Sequence, residues 1–252
     1  MKGMKMPTGH FPNKEGFAIV IPVYNHEQMA PEVIREALKT GFPVFVTDDG
    51  STDSTYERIK DIKGIHVLRH ERNQGKGAAL LTAFAAASHV ADRAVSLDAD
   101  GQHDPAEIAH LIRAVSGRDR AIIIGRRKEM TEKDVPLTSR LGREFSNFWV
   151  WCAGGPLLHD TQSGFRIYPL PECLHLGVRS RRFQFEVEIL AKAGWKGIPV
   201  WEVPVSVNYS PASGRISHFR PFIDFIRNSN AFTRLIFQRI LYPASLRRKL
   251  EQ

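Results

Sequence analysis

The sequence has little cysteine and no long apolar run, and each absence excludes a class of protein. Its 252 residues include two cysteines, Cys152 and Cys173, whose spacing fits neither a metal site nor a redox motif. No stretch approaches the roughly 18 consecutive apolar residues of a membrane-spanning helix. The start of the chain also lacks the apolar centre of a signal peptide. We therefore expect a cytoplasmic protein in which both cysteines are small buried residues.

Basic residues outnumber acidic ones, which indicates an anionic partner. The chain has 35 lysines and arginines against 27 aspartates and glutamates, a net charge of +8. This charge suits nucleic acid, an anionic membrane surface or a phosphorylated substrate. The sequence carries no RNA-recognition signature, zinc-finger spacing or basic leucine zipper. Nucleic acid is therefore the least favoured of the three, and we expect no nucleic-acid partner.

Short apolar runs alternate with helical patterns along the chain. The predicted strands are residues 17–22, 44–47, 65–68, 94–97, 121–125 and 200–207. The predicted helices are residues 27–40, 54–61, 77–89, 106–116, 139–152 and 185–193. This alternation predicts an α/β fold, a Rossmann-like and mostly parallel sheet with helices on both faces. Ligands bind at the carboxyl ends of the strands in such sheets, and polar clusters follow several of the predicted strands here.

The run Asp98-Ala-Asp100-Gly-Gln102 follows one of these strands and has the composition of a metal site. Residues two apart in an extended chain share a face, so both carboxylates can reach one divalent cation, with Gln102 or His103 nearby. The alternative is that the run caps the helix that opens at Pro105. Asp104 alone would supply that cap. We therefore favour a site for Mg²⁺ or Mn²⁺ and a bound diphosphate.

Two further motifs indicate a nucleotide site. Residues 48–55, DDGSTDST, lie between a predicted strand and a helix, where carboxylates can accept hydrogen bonds from a base or ribose. A turn with a helix cap would have the same composition. Residues 73–77, NQGKG, open an alanine-rich helix, whose backbone N–H groups suit an anion. The second motif is not a Walker A loop, because it lacks that motif's spacer and the Ser or Thr after lysine.

Six motifs occur in a fixed order, and together they resemble the family 2 glycosyltransferases. They are PVYN (22–25), DDGSTDST (48–55), NQGKG (73–77), DADGQHD (98–104), GRR (125–127) and QSGFR (162–166). The branch that they resemble most is the dolichol-phosphate mannosyltransferase-like, or polyprenyl-phosphate glycosyltransferase-like, enzymes. The resemblance implies a GT-A fold over residues 17–220. It also implies an inverting, metal-dependent transfer of a hexose from a UDP- or GDP-linked donor.

The resemblance also assigns roles to individual residues. It implies that Asp98, Asp100 and Gln102 hold the metal and the diphosphate, and that Arg126 and Arg140 face an acceptor phosphate. It places the following residues in the nucleotide pocket: Pro22, Tyr24, Asp49 and Lys76. For Arg127 and Arg143 we favour solvated surface positions. Arg166 either contacts a phosphate or pairs with Asp160, and the sequence does not choose between these.

Acidic residues in the second half of the chain do not decide whether the acceptor is a hydroxyl or a phosphate. Transfer to a hydroxyl requires a general base, for which the candidates are Glu186, Glu188 and Asp160. Transfer to a lipid phosphate requires none, because the phosphate oxygen is already anionic. One of the two glutamates is expected to pair with a nearby arginine, Arg181 or Arg182.

The last part of the chain departs from the resembled pattern and extends beyond it. His218 stands where the dolichol-phosphate branch has lysine, and an imidazole is a poorer permanent partner for a phosphate. Residues 221–252 form a basic, amphipathic and helical segment. This segment either lies on an anionic bilayer or packs on the domain with a solvated basic face. We favour the bilayer, with the enzyme peripheral at the inner face of the cytoplasmic membrane.

The leading hypothesis is a glycosyltransferase that uses polyprenyl phosphate as acceptor. The closest alternative keeps the donor site but transfers to a hydroxyl of a lipid or glycan through a carboxylate base. A nucleotide-sugar-binding protein without activity is a further alternative. A nucleotidyltransferase with an acidic metal pair is an alternative of the same rank, and a nucleic-acid-binding protein ranks last.

Overall fold

The computed structural model describes residues 16–115, 120–128, 137–207 and 221–241, with side chains from 142 onward in the third range and from 229 onward in the fourth. The strands in these ranges are β1 (Phe17–Val23), β2 (Val44–Asp48), β3 (Ile65–Arg69), β4 (Arg93–Ser96), β5 (Ile122–Arg127), β6 (Arg166–Pro169) and β7 (Val200–Val205). The α-helices are α1 (Ala30–Leu38), α2 (Thr55–Ile59), α3 (Lys76–Ala87), α4 (Ile108–Val115), α5 (Leu137–Cys152), α6 (Phe185–Lys196) and α7 (Pro221–Leu241). Short 3₁₀ helices occupy Pro105–Glu107 and Leu174–Leu176.

The strands form one sheet in the order β3-β2-β1-β4-β6-β5-β7. β6 runs antiparallel to both of its neighbours, and the other pairs are parallel. The six predicted strands are confirmed, with ends that differ by two residues at most. The sequence does not predict β6, because it is four residues long, opens on an arginine and ends in a proline. All strands except β6 therefore present their carboxyl ends at the same edge.

Each face of the sheet is covered by helices, as predicted. Side chains alternate along β1, so Ile19 and Ile21 face one side while Ala18 and Val20 face the other. The first side packs against α1 and α4 in one apolar core. The second side packs against α3, α5 and α6 in another core, which Phe232 of α7 also joins. The polar motifs follow the carboxyl ends of the strands, at the edge of the sheet between the two cores.

The helix after β1 begins later than the sequence predicts. α1 begins at Ala30 rather than at residue 27, because residues 25–27 bond to the loop after β2. Asn25 adopts a positive φ of 52°, and its backbone N–H donates to Ser51 Oγ at 3.0 Å. The backbone N–H of His26 donates to Thr55 Oγ1 at 2.8 Å. These bonds fasten the PVYN and DDGSTDST motifs to each other at the edge of the sheet.

Candidate active site

The carboxylate of Asp49 holds together the loop that precedes α3. Asp49 is 2% exposed and accepts from the backbone N–H groups of Gln74 at 2.9 Å and Gly75 at 2.7 Å. Its Oδ1 also lies 2.6 Å from His70 Nδ1. The sequence predicts that this carboxylate lines the nucleotide pocket. In the structure its bonds hold residues 73–77 in place, and its position in a nucleotide pocket stays a prediction.

Lys76 joins two acidic residues from distant parts of the chain. Its Nζ lies 2.7 Å and 2.9 Å from the two carboxylate oxygens of Asp98 and 2.6 Å from Oε1 of Glu186. Burial raises the pKa of Asp98, but the Lys76 ammonium more than offsets this effect and holds that pKa below its ordinary value. Burial lowers the pKa of Lys76, and the two carboxylates raise it well above its ordinary value. Lys76 and Asp98 are therefore both charged at neutral pH.

A glycine of the QSGFR motif packs directly against this triad. A Cβ added at Gly164 would lie 2.5 Å from Lys76 Nζ and closer still to an oxygen of Asp98. The carbonyl of Gly164 also accepts from Ser96 Oγ at 2.5 Å, next to the end of β4. No side chain larger than hydrogen fits at this position without moving the charged pair. The sequence motif marks this contact, although its reason is visible only in the fold.

The turn after Asp98 holds Asp100 and Gln102 side by side. Oδ1 of Asp100 accepts from the backbone N–H of Gln102 at 3.0 Å, and Gly101 has a positive φ of 73°. Asp104 caps the following helix by accepting from Ala106 N at 2.8 Å. The cap is thus made by Asp104, as expected if the two earlier aspartates serve another purpose.

His103, which the sequence offers as the alternative to Gln102 beside the metal, lies buried next to this turn. Its ring is 5% exposed and lies 4.9 Å from the ring of Phe165, centroid to centroid. Burial lowers the pKa of His103 to about 4, against the opposing influence of Asp98. The imidazole is therefore neutral at pH 7. The DADGQHD motif contains this histidine, but only its burial distinguishes it from an exposed one.

Two predictions about arginines are wrong. Arg127 is not a solvated residue, because its Nε and Nη2 donate to the carboxylate of Asp160 at 2.8 Å and 2.7 Å. Arg166 contacts neither a phosphate site nor Asp160. It is fully buried and donates to the backbone carbonyls of Ser163, Glu186 and Thr161 at 2.6 to 2.9 Å. Arg166 therefore braces the QSGFR loop from inside.

Two of the candidate bases are buried and accept hydrogen bonds from protein groups. Asp160 is fully buried; burial raises its pKa, but the bonds from Arg127 hold that pKa below its ordinary value. Glu188 is 1% exposed and accepts from the backbone N–H groups of Arg179 and Ser180, each at 3.0 Å. The arginine that pairs with Glu188 is Arg234 of α7, so the expected pairing with Arg181 or Arg182 is wrong.

Comparison with known proteins decides the family. The chain matches the model of glycosyl transferase family 2 over residues 18–170. The chain belongs to this family. A UDP-N-acetylglucosamine–dolichyl-phosphate N-acetylglucosaminyltransferase of Methanococcus voltae is 30% identical over 217 residues, which cover 77% of this chain and 86% of that protein. A polyprenol monophosphomannose synthase of Mycolicibacterium smegmatis is 28% identical over 204 residues, covering 75% and 76%.

A solved structure agrees with this family 2 assignment at the level of the fold. The mannosyltransferase PcManGT of Pyrobaculum calidifontis, in complex with GDP-Man and Mn²⁺, has a TM-score of 0.54 and 14% identity, covering 86% of this chain and 69% of its own. The predicted GT-A fold is confirmed. The predicted branch, resembling the dolichol-phosphate mannosyltransferases, is confirmed by the named relatives. The protein is therefore a family 2 glycosyltransferase of the hexosyltransferase type.

The remaining predicted residues of this glycosyltransferase lie around the same edge. Pro22 and Tyr24 are half-buried at the end of β1, and Arg126 is half-buried at the end of β5. Arg140 lies in the first turn of α5, and its side chain is outside the described residues. The C-terminal helical prediction is confirmed in part by α7, which packs on α5 and α6. His218 lies outside the described residues.

The oxygen ligands around the turn after Asp98 fit a hard divalent cation that a bound diphosphate also coordinates. Asp100 and Gln102 supply carboxylate and amide oxygens, which Mg²⁺ and Mn²⁺ favour. Asp98 adds a third oxygen ligand if Lys76 moves away, because the ammonium lies against both of its carboxylate oxygens. In the described part of the chain no three histidine, cysteine or acidic residues converge into a complete metal cage. A diphosphate would complete the coordination, as is usual for magnesium.

Proposed function

We propose that this enzyme transfers a hexose, with inversion, from a nucleoside diphosphate sugar to a polyprenyl phosphate in a membrane. The observation that favours a phosphate acceptor is the state of the three candidate bases. Asp160 is bound by Arg127, Glu188 by Arg234 and two backbone N–H groups, and Glu186 by Lys76. These contacts occupy carboxylate oxygens that a general base would have to offer to an acceptor hydroxyl. A phosphate oxygen attacks without a base.

In the proposed reaction an oxygen of the acceptor phosphate attacks the anomeric carbon of the donor sugar. A bond forms between these two atoms as the bond from the anomeric carbon to the diphosphate breaks, so the diphosphate leaves with the electron pair. No proton moves in this step. A bound Mg²⁺ or Mn²⁺ would neutralise the charge that develops on the leaving group. Asp100 and Gln102 would hold this ion, together with Asp98.

The chain's own cations fit the two phosphates of this reaction. Lys76 lies beside the proposed diphosphate site and carries a permanent charge, as its raised pKa requires. Arg126, at the end of β5, is proposed to contact the acceptor phosphate together with Arg140, because guanidinium groups bind phosphate oxygens bidentately. Pro22 and Tyr24, at the end of β1, are proposed to line the nucleotide. Asp49 acts through the loop that it holds.

The place of the enzyme follows from its acceptor. A polyprenyl phosphate is embedded in a bilayer with its phosphate at the surface, so we propose a cytoplasmic enzyme that is peripheral at the inner face of the cytoplasmic membrane. None of the helices described has the length and apolar character needed to span a bilayer. The basic segment 221–252 is the proposed membrane-contacting part.

The test is a donor screen with purified full-length protein and Mn²⁺. UDP- and GDP-linked sugars are supplied with and without polyprenyl phosphate, and nucleoside diphosphate release is measured beside an Asp100→Ala control. We expect release that requires one donor and the lipid phosphate together, and that vanishes in the control. Donor binding without any turnover dependent on lipid phosphate would contradict the proposed acceptor. Release undiminished in Asp100→Ala would contradict the proposed metal site.

A further inference from the structure

Large apolar side chains are exposed together at one end of the molecule. Among the described residues, six such side chains, each between 52% and 76% exposed, lie on α5, on the loop after it and at the end of α7: Phe148, Trp151, Leu157, Phe237, Ile240 and Leu241. Exposed apolar groups cost free energy in water, and a contiguous set of them marks an interaction site. We call these six residues the α5–α7 surface.

The packing of the helices places the end of α7 beside the end of α5. α5 and α7 both pack on α6 and also on each other, through Phe232 of α7, whose ring lies 6.4 Å from Phe145 and 6.3 Å from Trp149. Phe148 and Trp151 lie one turn apart on α5, with ring centroids 6.3 Å apart. Nη1 of Arg239 donates to the carbonyl of Cys152 at 2.7 Å. This bond fastens the end of α7 to the end of α5.

The same helix that carries the aromatic residues also reaches the catalytic edge. The carbonyl of Gly142, near the start of α5, accepts from Gln162 Nε2 at 3.3 Å, and Ser146 Oγ accepts from Thr161 Oγ1 at 3.0 Å. Both partners belong to or adjoin the QSGFR motif. Trp151 lies nine residues after Gly142, which is roughly 14 Å along an α-helix. The α5–α7 surface is therefore rigidly connected to the acceptor side of the site.

The chemistry of this surface fits a lipid bilayer with anionic headgroups. Tryptophan is favoured at the boundary between headgroups and acyl chains, because its ring is apolar and its N–H is polar. Phenylalanine is common on the apolar face of helices that lie in this boundary. The segment from 221 to 252 contains six basic residues and two acidic ones, and the exposed Arg239 lies within the surface. Basic groups beside an apolar face strengthen binding to anionic lipids.

We propose that the α5–α7 surface docks onto an anionic bilayer and so presents the catalytic edge to a phosphate at the membrane surface. This inference rests on the proposed function for its purpose, but the docking itself can be tested without substrate. α5 inserts the rings of Phe148 and Trp151 among the headgroups, and α7 adds its last turn. The acceptor lipid then stays in the bilayer during the reaction, and only its phosphate reaches from the membrane into the site.

The test is flotation of the full-length protein with vesicles of phosphatidylcholine that contain phosphatidylglycerol. We expect the wild type to float with the vesicles and the Phe148→Ser, Trp151→Ser double variant to bind at least about tenfold more weakly. Trp201→Ser is the matched control. Trp201 is 49% exposed and lies on the same side of β7 as Val203 and Val205. Those two valines pack in the core beside α1 and α4, so Trp201 is on the face of the sheet away from α5 and α7. The control should float like the wild type.

Activity measured with two acceptors separates this inference from the proposed function. With a short, water-soluble polyprenyl phosphate the double variant should turn over like the wild type, which also shows that it is folded. With the long-chain acceptor in vesicles it should lose at least about tenfold. Flotation without transfer to either acceptor would contradict the proposed function and support the surface. If the double variant floats like the wild type, the proposed membrane docking is wrong. It is also wrong if the wild type is a dimer in solution and the double variant is a monomer.

Discussion

At the scale of single residues, the site depends on charges that neutralise each other inside the protein. Lys76 is 17% exposed and lies between Asp98 and Glu186. Removing the cation would leave two acidic groups next to each other in a partly desolvated place, which is more costly than never having had the pair. The residues that the sequence marks for binding are therefore also residues on which the local structure depends.

We predict that Lys76→Met lowers the free energy of unfolding by about 3 kcal/mol at pH 7, because breaking a buried ion pair leaves uncompensated charge. Urea unfolding followed by circular dichroism measures this change. Lys39→Met is the matched control, since Lys39 pairs with Glu36 on the surface with a side chain that is 70% exposed. That change should cost less than about 1 kcal/mol. Equal losses in the two variants would contradict the account of the triad.

Replacement of Gly164 by alanine tests the close contact with the triad. We expect Gly164→Ala to weaken binding of the nucleotide donor at least about tenfold, because the new Cβ must displace Lys76 and Asp98. Isothermal titration calorimetry with the donor identified in the screen measures this affinity. Gly142→Ala provides the control, since a Cβ at Gly142 meets nothing within 4 Å. Unchanged donor affinity in Gly164→Ala would show that the triad is remote from the donor.

The pair of Asp160 and Arg127 predicts how stability depends on pH. The folded pKa of Asp160 lies below its unfolded value near 3.8, so the pair stabilises the protein above that value and the stabilisation is lost as pH falls through the folded pKa. We expect Asp160→Asn to be less stable than the wild type by about 3 kcal/mol at pH 6, and the difference to shrink below pH 4. Urea unfolding across this range measures it. The exposed change Asp61→Asn should show no such pH-dependent difference, and a constant difference for Asp160→Asn would contradict the account.

At the scale of helices and strands, a charged contact between described side chains fastens α7 to α6. Arg234 pairs with Glu188, which is almost fully buried at the start of α6. We predict that Arg234→Met increases amide hydrogen exchange in α7 by at least about tenfold while the exchange in β1 and β4 stays unchanged. The exposed Arg113→Met on α4 serves as control. Equal protection of α7 in Arg234→Met and the wild type would show that apolar packing alone holds the helix.

The elements that the sequence predicts are those with their own local pattern. The parallel strands are continuous apolar runs, because both of their faces are buried, and turn residues separate them from the helices. β6 has no such pattern, since Arg166 occupies its first position and donates to the backbone carbonyls of Thr161, Ser163 and Glu186. Its antiparallel direction depends on long-range pairing with β4 and β5, which no local signal specifies.

The sequence likewise predicts some residues of the site but not the contacts that they make. The motifs place Asp98 and Lys76 at one edge of the sheet, and the structure brings these two side chains into contact. The sequence cannot say that Asp49 bonds inward to a loop, or that Asp160 and Glu188 are held by arginines more than 30 residues away. Those facts depend on which strands become adjacent. The division of the chain into residues 17–220 and 221–252 stays a prediction.

At the scale of the whole molecule, the α/β domain has two regions with proposed functions. One is the carboxyl edge of the sheet, where the donor, the metal and the acceptor phosphate are proposed to meet. The other is the α5–α7 surface, which is proposed to hold that edge against a membrane. The two are connected by α5. The central claim is that the acceptor is a phosphate, so that no carboxylate base is needed.

The most direct test compares polyprenyl phosphate with the corresponding polyprenol in the presence of the preferred donor and Mn²⁺. We predict transfer of the hexose to the phosphate, detected by mass spectrometry of the extracted lipid, and no transfer to the alcohol. Glu188→Gln and Asp160→Asn, where they fold, should retain turnover with the phosphate. Glycosylation of the polyprenol at a comparable rate, abolished by one of these two changes, would contradict the account and identify that carboxylate as a base.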